Sequence, residues 1–197
     1  MTGMENTDYL VLVNRDTPFD PAFLDGIELI AVKNVRGREI RIEKKTYEAY
    51  LGLVKTLGKA GIKAGAGGAF RTVEYQRELM ERFIREKGEE YAEKFVAVPG
   101  KSEHHTGLAI DLLPFIDGQW RSDHPSLFAA ADIFAKIHPL LPEFGFILRY
   151  PAGKEEITKI SYEPWHIRYV GKEAAREMTE KGLTLEEYTE LRKRKTE

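Results

Sequence analysis

The chain of 197 residues contains no cysteine. This absence excludes disulfide bonds and thiolate ligands, so a transition metal in this protein must be held by histidine, aspartate or glutamate. Histidine is itself scarce, with only five in the whole chain. Two of the five, His104 and His105, are adjacent, so a catalytic or metal-binding site is expected first in the residues around them.

The sequence also lacks an apolar run long enough to span a bilayer, so no membrane span is expected. Its first residues, MTGMENTDYL, have neither the basic start nor the apolar core of a secretory signal, and the chain as it stands is predicted to be cytoplasmic. Residues 1–3 ahead of a second methionine, Met4, are also typical of a cloning remnant. A removed export segment therefore stays an open alternative.

Neither sign of charge dominates. The 30 basic and 32 acidic residues are interspersed and give a net charge of −2, so no basic face indicates a nucleic-acid partner. The length and the 42% of hydrophobic residues suit one globular domain over residues 1–197.

Hydrophobic periodicity and turn residues predict a mixture of helices and strands. Helices are expected from Thr46 to Gly61, from the cap Thr72 to about Lys87, over 89–95, over 126–141, and after a capping box formed by Thr184 and Glu187. Strands are expected at 9–13, in a hairpin that turns at 34–37, through the glycine-rich 62–70, at 109–113, and in FILRY and WHIRYV. This interleaving indicates an α+β fold with an antiparallel sheet.

Asp111 lies within the apolar run GLAIDLLPF, which is typical of a strand in a buried sheet. An ionised carboxylate there is costly unless it is paired or binds a cation. A salt-bridged core aspartate is one interpretation. The alternative is a metal ligand, because His104 lies in the loop just before this strand.

A second polar cluster in an apolar setting, YEPWHIRYV, contains Glu163 and His166. Residues three apart in a regular strand point to opposite faces, and Pro164 forces extended backbone between them. If both side chains serve one site, a turn or bulge is expected there.

His104, Asp111 and His166 together form a candidate metal site. Three such ligands leave one zinc position open for water, which suits hydrolysis, and Glu163 would be the general base. The iron triad of oxygenases uses the same ligand types, but its first histidine and carboxylate are usually about two residues apart rather than seven.

Two segments carry a resemblance to a known family. SEHHTGLAID is similar to the Ser-x-His-x-x-Gly-x-Ala-x-Asp motif, and EPWH to the Glu-x-x-His motif, of the zinc D-alanyl-D-alanine peptidases. These comprise VanY-type carboxypeptidases, VanX dipeptidases and the bifunctional VanXY enzymes, to which the resemblance is nearest. Similar segments occur in family order through residues 61–171, including GAFRTVEYQ, FGFILRYP and ITKISYEPWHIRYVG.

The resemblance implies a fold and a set of roles. The fold is a single α+β domain with a central antiparallel sheet flanked by helices, as in hedgehog and D-Ala-D-Ala peptidases. His104, Asp111 and His166 would bind Zn²⁺, Glu163 would activate water, and Arg71 would stabilise the oxyanion. GAFR replaces the more common Ser-Gly-Tyr-Arg, which keeps the arginine but changes its neighbours.

Three further residues are candidate substrate contacts. Gln76 places an amide on the apolar face of its helix, where it needs a partner, either peptide substrate or backbone. Ser102 precedes a candidate ligand by two residues, and Tyr150 is the third candidate. His105, His124 and His138 are interpreted as structural, surface and packing residues in that order.

By resemblance, the expected function is zinc-dependent hydrolysis of the D-Ala-D-Ala ends of peptidoglycan precursors, by carboxypeptidase and possible dipeptidase action. A role in cell-wall metabolism or vancomycin-type resistance follows by analogy. An L,D-carboxypeptidase acting on tetrapeptide stems and a non-catalytic peptidoglycan-binding module are the alternatives. A general base at Glu163 argues against the binding module, which would not need one.

Overall fold

The computed structural model describes residues 7–196, with side chains up to residue 194, and its centre is an antiparallel sheet. The strand order is β3-β4-β7-β6, and the short β5 pairs with the far end of β4. A separate two-stranded hairpin, β1-β2, precedes the sheet in the chain. The strands are β1 Leu29–Lys33, β2 Glu39–Glu43, β3 Ala64–Gly68, β4 Ala109–Ile116, β5 Gln119–Trp120, β6 Phe146–Leu148 and β7 His166–Tyr169.

Eight α-helices and three 3₁₀ helices occur within residues 7–196. The α-helices are α1 Lys44–Lys59, α2 Val73–Lys87, α3 Glu89–Phe95, α4 His124–Ala129, α5 Ala131–Ile137, α6 Glu155–Thr158, α7 Lys172–Lys181 and α8 Leu185–Thr196; the 3₁₀ helices are Pro21–Gly26, Glu103–Thr106 and His138–Phe144. None of the helices in this described part of the chain combines the length and apolarity that crossing a membrane requires. The predicted α+β class with an antiparallel sheet is confirmed.

β4 is the strand around which the sheet is built. It pairs with β3 on one side and with β7 on the other. Its Ile110 and Leu112 are fully buried in the main core, together with Leu53 and Leu57 of α1 and Phe134 of α5. Because alternate residues of a strand face opposite ways, Asp111 lies on the other side of the sheet from this apolar layer.

Local sequence signals account for several helix and strand boundaries. The Thr72 side chain accepts a hydrogen bond from Tyr75 N and begins α2 as predicted. Thr184 and Glu187 form the expected reciprocal capping box, with bonds of 2.8 Å and 3.2 Å. The hairpin across residues 34–37 is also present.

Two predicted elements are wrong. Residues 9–13 form no strand, because the carbonyls of Tyr9 and Val11 accept hydrogen bonds from Arg168 Nη2 rather than from a neighbouring strand. The single helix predicted over 126–141 is instead divided into α4, α5 and a 3₁₀ helix. An α-helix that continued through residue 139 would need a backbone N–H there. Proline has none, and the chain continues as the 3₁₀ helix.

Two α-helices were missed, the four-residue α6 and the longer α7. In α7, the buried residues are Ala174, Ala175 and Met178, so its apolar face is narrow and mostly alanine. Such a face gives little periodic signal in a sequence that is otherwise charged. The last helix, α8, packs near it through Leu185 and Tyr188 in a second, smaller core.

Gly145, which ends the 3₁₀ helix before β6, offers a test of this packing. Its φ is +82°, and a Cβ there would lie 3.0 Å from Gly171 C and 3.1 Å from Lys172 N, which are backbone atoms. Gly118 has a similar φ of +77° but open space around it. We expect Gly118→Ala to lower the free energy of unfolding by about 1–2 kcal/mol for backbone strain alone. Gly145→Ala should cost about 1–3 kcal/mol more.

Urea denaturation of the two variants beside the wild type measures both losses. Equal losses would contradict the close approach of residue 145 to the backbone at 171–172.

Candidate metal centre

Three side chains from separate parts of the chain meet at one point. One ligand atom from each of His104, Asp111 and His166 lies within 4.8 Å of the others. Asp111 and His166 are direct cross-strand partners on β4 and β7, so the sheet itself sets them side by side. His104 comes from the 3₁₀ helix Glu103–Thr106, which leads into β4, and its Nε2 lies 3.4 Å from Asp111 Oδ1.

The ring of His104 is fixed in one tautomer. Its Nδ1 donates to the carbonyl of Ala69 at 2.7 Å, so in the neutral ring Nε2 carries the lone pair. Burial lowers the pKa of His104 to about 4, because the positive charge of an imidazolium is poorly solvated there. Nε2 is buried and has no hydrogen-bond partner among the described residues. A buried lone pair beside a carboxylate and a second imidazole fits a bound metal cation.

His166 presents its other ring nitrogen to the same point. Its Nε2 bonds to Glu103 Oε2 at 3.0 Å, and its Nδ1 lies 3.6 Å from Asp111 Oδ1. Burial lowers the pKa of His166, but the carboxylates of Glu103 and Glu163 outweigh it and raise that pKa to about 9. A cation at Nδ1 would displace the proton from an environment that already favours positive charge.

Asp111 uses its two oxygens differently. Oδ1 faces the histidines, whereas Oδ2 pairs with Arg71 Nη2. Burial raises the pKa of Asp111, but its interactions with His104 and with the Arg71 guanidinium hold that pKa well below its ordinary value. The salt bridge considered from sequence is therefore present, yet it occupies only one oxygen and leaves the other for a metal.

Glycine makes room for this pair. Gly68 on β3 is the cross-strand partner of Asp111. A Cβ at Gly68 would lie 3.3 Å from Asp111 Oδ2 and 3.7 Å from Arg71 Nη2. The glycine-rich strand thus lets the arginine reach the carboxylate.

Glu163 lies beside the three candidate ligands on the turn before β7. The expected turn is confirmed, with His166 N donating to Glu163 O at 3.2 Å. Glu163 Oε2 is 3.5 Å from His166 Nδ1. Burial raises the pKa of the Glu163 carboxyl, which makes it a better proton acceptor than a solvated glutamate. His138 Nε2 donates a hydrogen bond to Pro164 O and so stabilises this turn.

The cluster lies in a cleft of about 860 Å³. All three candidate substrate contacts line this cleft, but each also has a contact within the protein. Gln76 Nε2 donates to Ala97 O, which leaves its buried Oε1 without a partner among the described residues. Ser102 Oγ accepts from His104 N, and the Tyr150 ring packs 4.7 Å from that of His166.

One wall of the cleft is aromatic, which sequence reasoning missed. His124, interpreted as a surface residue, is joined to Tyr91 Oη by a 2.7 Å hydrogen bond and packs against Trp165. Phe83 and Phe95 complete this wall. These residues come from α2, α3, α4 and the turn before β7, and no local pattern in the sequence relates them.

The β1-β2 hairpin forms another part of the lining. Its Arg36, Arg38 and Arg41 face the cleft, and Arg36 bonds to Ser122 in the loop before α4. Asn34 Nδ2 donates to Gly67 O and holds the hairpin to β3. No role for this hairpin was predicted from the sequence.

His105 contacts the backbone around the cluster. Its Nδ1 donates to Arg71 O at 2.7 Å, and its Nε2 accepts from Gly100 N at 3.1 Å. Both ring nitrogens are therefore engaged within the protein, in keeping with the structural role that the sequence suggested.

Comparison with known proteins points to one family. Residues 39–172 match the family described as VanY: D-alanyl-D-alanine carboxypeptidase. The D-alanyl-D-alanine carboxypeptidase of Enterococcus faecalis (strain ATCC 700802 / V583) is 38% identical over 200 residues, covering 97% of this chain and 69% of its own length. The bifunctional D-Ala-D-Ala dipeptidase and carboxypeptidase VanXYC of Enterococcus gallinarum is 48% identical over 121 residues, covering 60% of this chain and 62% of VanXYC.

Solved structures agree with this assignment. The vancomycin resistance D,D-pentapeptidase VanY from a VanB-type cassette, in a mutant form with Zn(II), has a TM-score of 0.76 at 33% identity and covers 92% of this chain and 98% of its own. VanYB with D-alanine-D-alanine has the same TM-score and identity, covering 92% and 97%. The LD-carboxypeptidase LdcB has a TM-score of 0.74 at 33% identity, covering 94% and 88%.

We expect purified protein to bind about one zinc ion per chain. His104→Ala should remove most of it, because Nε2 of this residue has no hydrogen-bond partner among the side chains and backbone that the structure describes and is therefore available to the metal. His124→Ala, which alters a histidine of the same cleft outside the cluster, should leave the zinc content unchanged. Metal analysis after dialysis measures all three proteins. Full zinc content in His104→Ala would contradict the geometry described above.

Proposed function

Because the chain belongs to the VanY family of D-alanyl-D-alanine carboxypeptidases, a family of metallopeptidases, we propose that it is a zinc-dependent enzyme that hydrolyses the D-Ala-D-Ala ends of peptidoglycan precursors. One observation carries the proposal for this chain. His104 Nε2, His166 Nδ1 and one oxygen of Asp111 face a single point, with the Glu163 carboxylate beside it.

In this proposal, His104 Nε2, Asp111 Oδ1 and His166 Nδ1 hold the zinc. A zinc ion with three protein ligands supplies a Lewis acid for the peptide carbonyl and lowers the pKa of water. Glu163 is the general base that takes a proton from the attacking water and gives it to the leaving amine. Its buried position, which raises its pKa, suits both halves of this transfer.

Arg71 is the proposed second source of positive charge. Its guanidinium is held at the cluster by Asp111 Oδ2, and its backbone is held by His104 and His105. A donor fixed in this way can bind the negative oxygen that develops as the carbonyl is attacked, without reorganisation of the protein.

The substrate is proposed to lie along the cleft, where Gln76, Ser102 and Tyr150 are candidate contacts. The unpartnered Oε1 of Gln76 can accept a hydrogen bond from a substrate N–H. The volume of the cleft, about 860 Å³, leaves room for a peptide longer than the dipeptide. We therefore propose carboxypeptidase action on acylated D-Ala-D-Ala, with splitting of the free dipeptide as an additional activity.

Two wider statements belong to the same proposal. A single catalytic domain over residues 1–197, acting in the cytoplasm on precursors, would reduce the D-Ala-D-Ala ends available to vancomycin. The similarity to VanXYC and to VanY from a resistance cassette supports a role of this kind in cell-wall metabolism or resistance.

An L,D-carboxypeptidase is the second candidate, supported by the similarity to LdcB, whose TM-score of 0.74 is close to that of the VanY structure. Turnover of a peptide ending in D-Ala-D-Ala, of free D-Ala-D-Ala, and of a tetrapeptide stem ending in a single D-alanine separates the candidates. Hydrolysis of the tetrapeptide alone would replace the proposed D,D-specificity.

Replacing Glu163 tests the chemistry apart from metal binding. Glu163→Gln should keep its zinc and its fold but lose about a hundredfold or more in turnover, the usual scale for a positioned general base. Glu86→Gln changes a carboxylate of the same cleft away from the cluster and should leave turnover near that of the wild type. Steady-state kinetics with zinc analysis on the same samples decides. Near-normal turnover by Glu163→Gln would remove this residue from the mechanism.

Replacing Arg71 tests stabilisation of the oxyanion. If this arginine acts mainly in the transition state, Arg71→Ala at saturating zinc should lower kcat by about a hundredfold or more and change KM much less. Arg82→Ala removes another arginine of the cleft and is the matched control. An unchanged kcat with a raised KM would instead assign Arg71 to substrate binding.

A further inference from the structure

Glu103 is a completely buried carboxylate next to the candidate metal centre. It lies between Ser102 and His104 in the sequence but points away from the cleft, to the far side of His166. A buried carboxylate is stable only when its charge is compensated and its oxygens accept hydrogen bonds. The contacts of Glu103 meet both conditions.

The two oxygens of Glu103 have separate tasks. Oε2 accepts from His166 Nε2 at 3.0 Å. Oε1 accepts from Arg149 Nε at 2.7 Å and from Arg168 Nη1 at 3.0 Å. The arginines therefore fix one oxygen, and this holds the other against the imidazole.

The arginines are anchored in turn by segments on both sides of residues 39–172, the part matched to the family. Arg149 Nη1 and Nη2 donate to the two oxygens of Glu186 on α8, at 2.9 Å and 2.7 Å. Arg168 Nη2 donates to the carbonyls of Tyr9 and Val11. The charges of this network balance, because two carboxylates face two guanidinium groups.

We infer that Glu103 is a positioning residue that orients His166 as a metal ligand, and that Glu186 of α8 holds Glu103 in place through Arg149. Accepting the proton of Nε2 leaves the lone pair of the neutral ring on Nδ1, the atom that faces Asp111 and His104. The C-terminal helix thereby becomes part of the support of the metal site. This inference rests on the proposed role of His166 as a ligand.

The competing explanation is that Glu103 only neutralises two buried arginines. Under that explanation its loss would lower stability but leave the zinc affinity of the folded protein unchanged. Zinc affinity and the absorption spectrum of the Co²⁺-substituted protein separate the two, because both report on the metal ligands rather than on the free energy of unfolding.

Three variants test the positioning role of Glu103 and its support by α8. Glu103→Gln keeps the size of the side chain but can accept at only one of the two positions. Glu186→Gln weakens the anchor of Arg149 from α8. Glu187→Gln is the matched control, since Glu187 lies on the same turn of α8 but bonds to Lys154 and Thr184 N.

Chelator competition measures the Kd for zinc, and thermal unfolding of the metal-free proteins confirms that each is folded. We expect Glu103→Gln to weaken zinc binding by about 10–100-fold and Glu186→Gln by about tenfold, each with a changed Co²⁺ spectrum. Glu187→Gln should match the wild type in both. If Glu103→Gln does not fold, Glu186→Gln decides the outcome.

Failure of the proposed function and failure of the role inferred for Glu103 give different results. A wild type that binds no zinc would contradict the proposed function itself. If the wild type binds zinc and a folded Glu103→Gln binds it equally well with an unchanged Co²⁺ spectrum, Glu103 has no positioning role. An unchanged Kd in Glu186→Gln would overturn the contribution of α8.

Discussion

The pairing of β4 with β7 is the constraint on which the rest of the site depends. It places Asp111 directly opposite His166, on the face of the sheet away from the apolar layer of Ile110 and Leu112. The same pairing sets Arg168 two residues further along β7, on the side where Glu103 lies. One strand register thus fixes a metal ligand pair and part of the network behind it.

Buried polar side chains near the paired strands β4 and β7 are almost all hydrogen-bonded, and the exceptions lie at the candidate site. Within the described residues, the buried side-chain atoms without a partner are His104 Nε2 and Gln76 Oε1. Both residues line the cleft. An unsatisfied polar atom in a protein interior is costly unless a ligand completes it, so these two atoms mark where a metal and a substrate are expected.

Much of the candidate site could be predicted from the sequence because each of its two polar clusters is local, and the resemblance to family motifs relates one cluster to the other. His104 lies on the 3₁₀ helix just before β4, and Asp111 is the third residue of that strand. Glu163 and His166 are separated by one turn. Glu103 could not be predicted in this way. It reads as an ordinary polar residue in a loop, and its partners Arg149 and Arg168 lie 46 and 65 residues away. The aromatic wall of the cleft was missed for the same reason, because its residues are distant in the sequence. Helix α7 was missed for a different reason, because its narrow alanine face gives little periodic signal.

The proposed function depends on one zinc ion bound by His104 Nε2, Asp111 Oδ1 and His166 Nδ1. The most direct measurement is a crystal structure of the zinc-loaded protein with anomalous diffraction recorded at the zinc edge. We expect one anomalous peak about 2.0–2.2 Å from each of these three atoms. A peak away from these residues, or one at Nε2 of His166 in place of Nδ1, would contradict it.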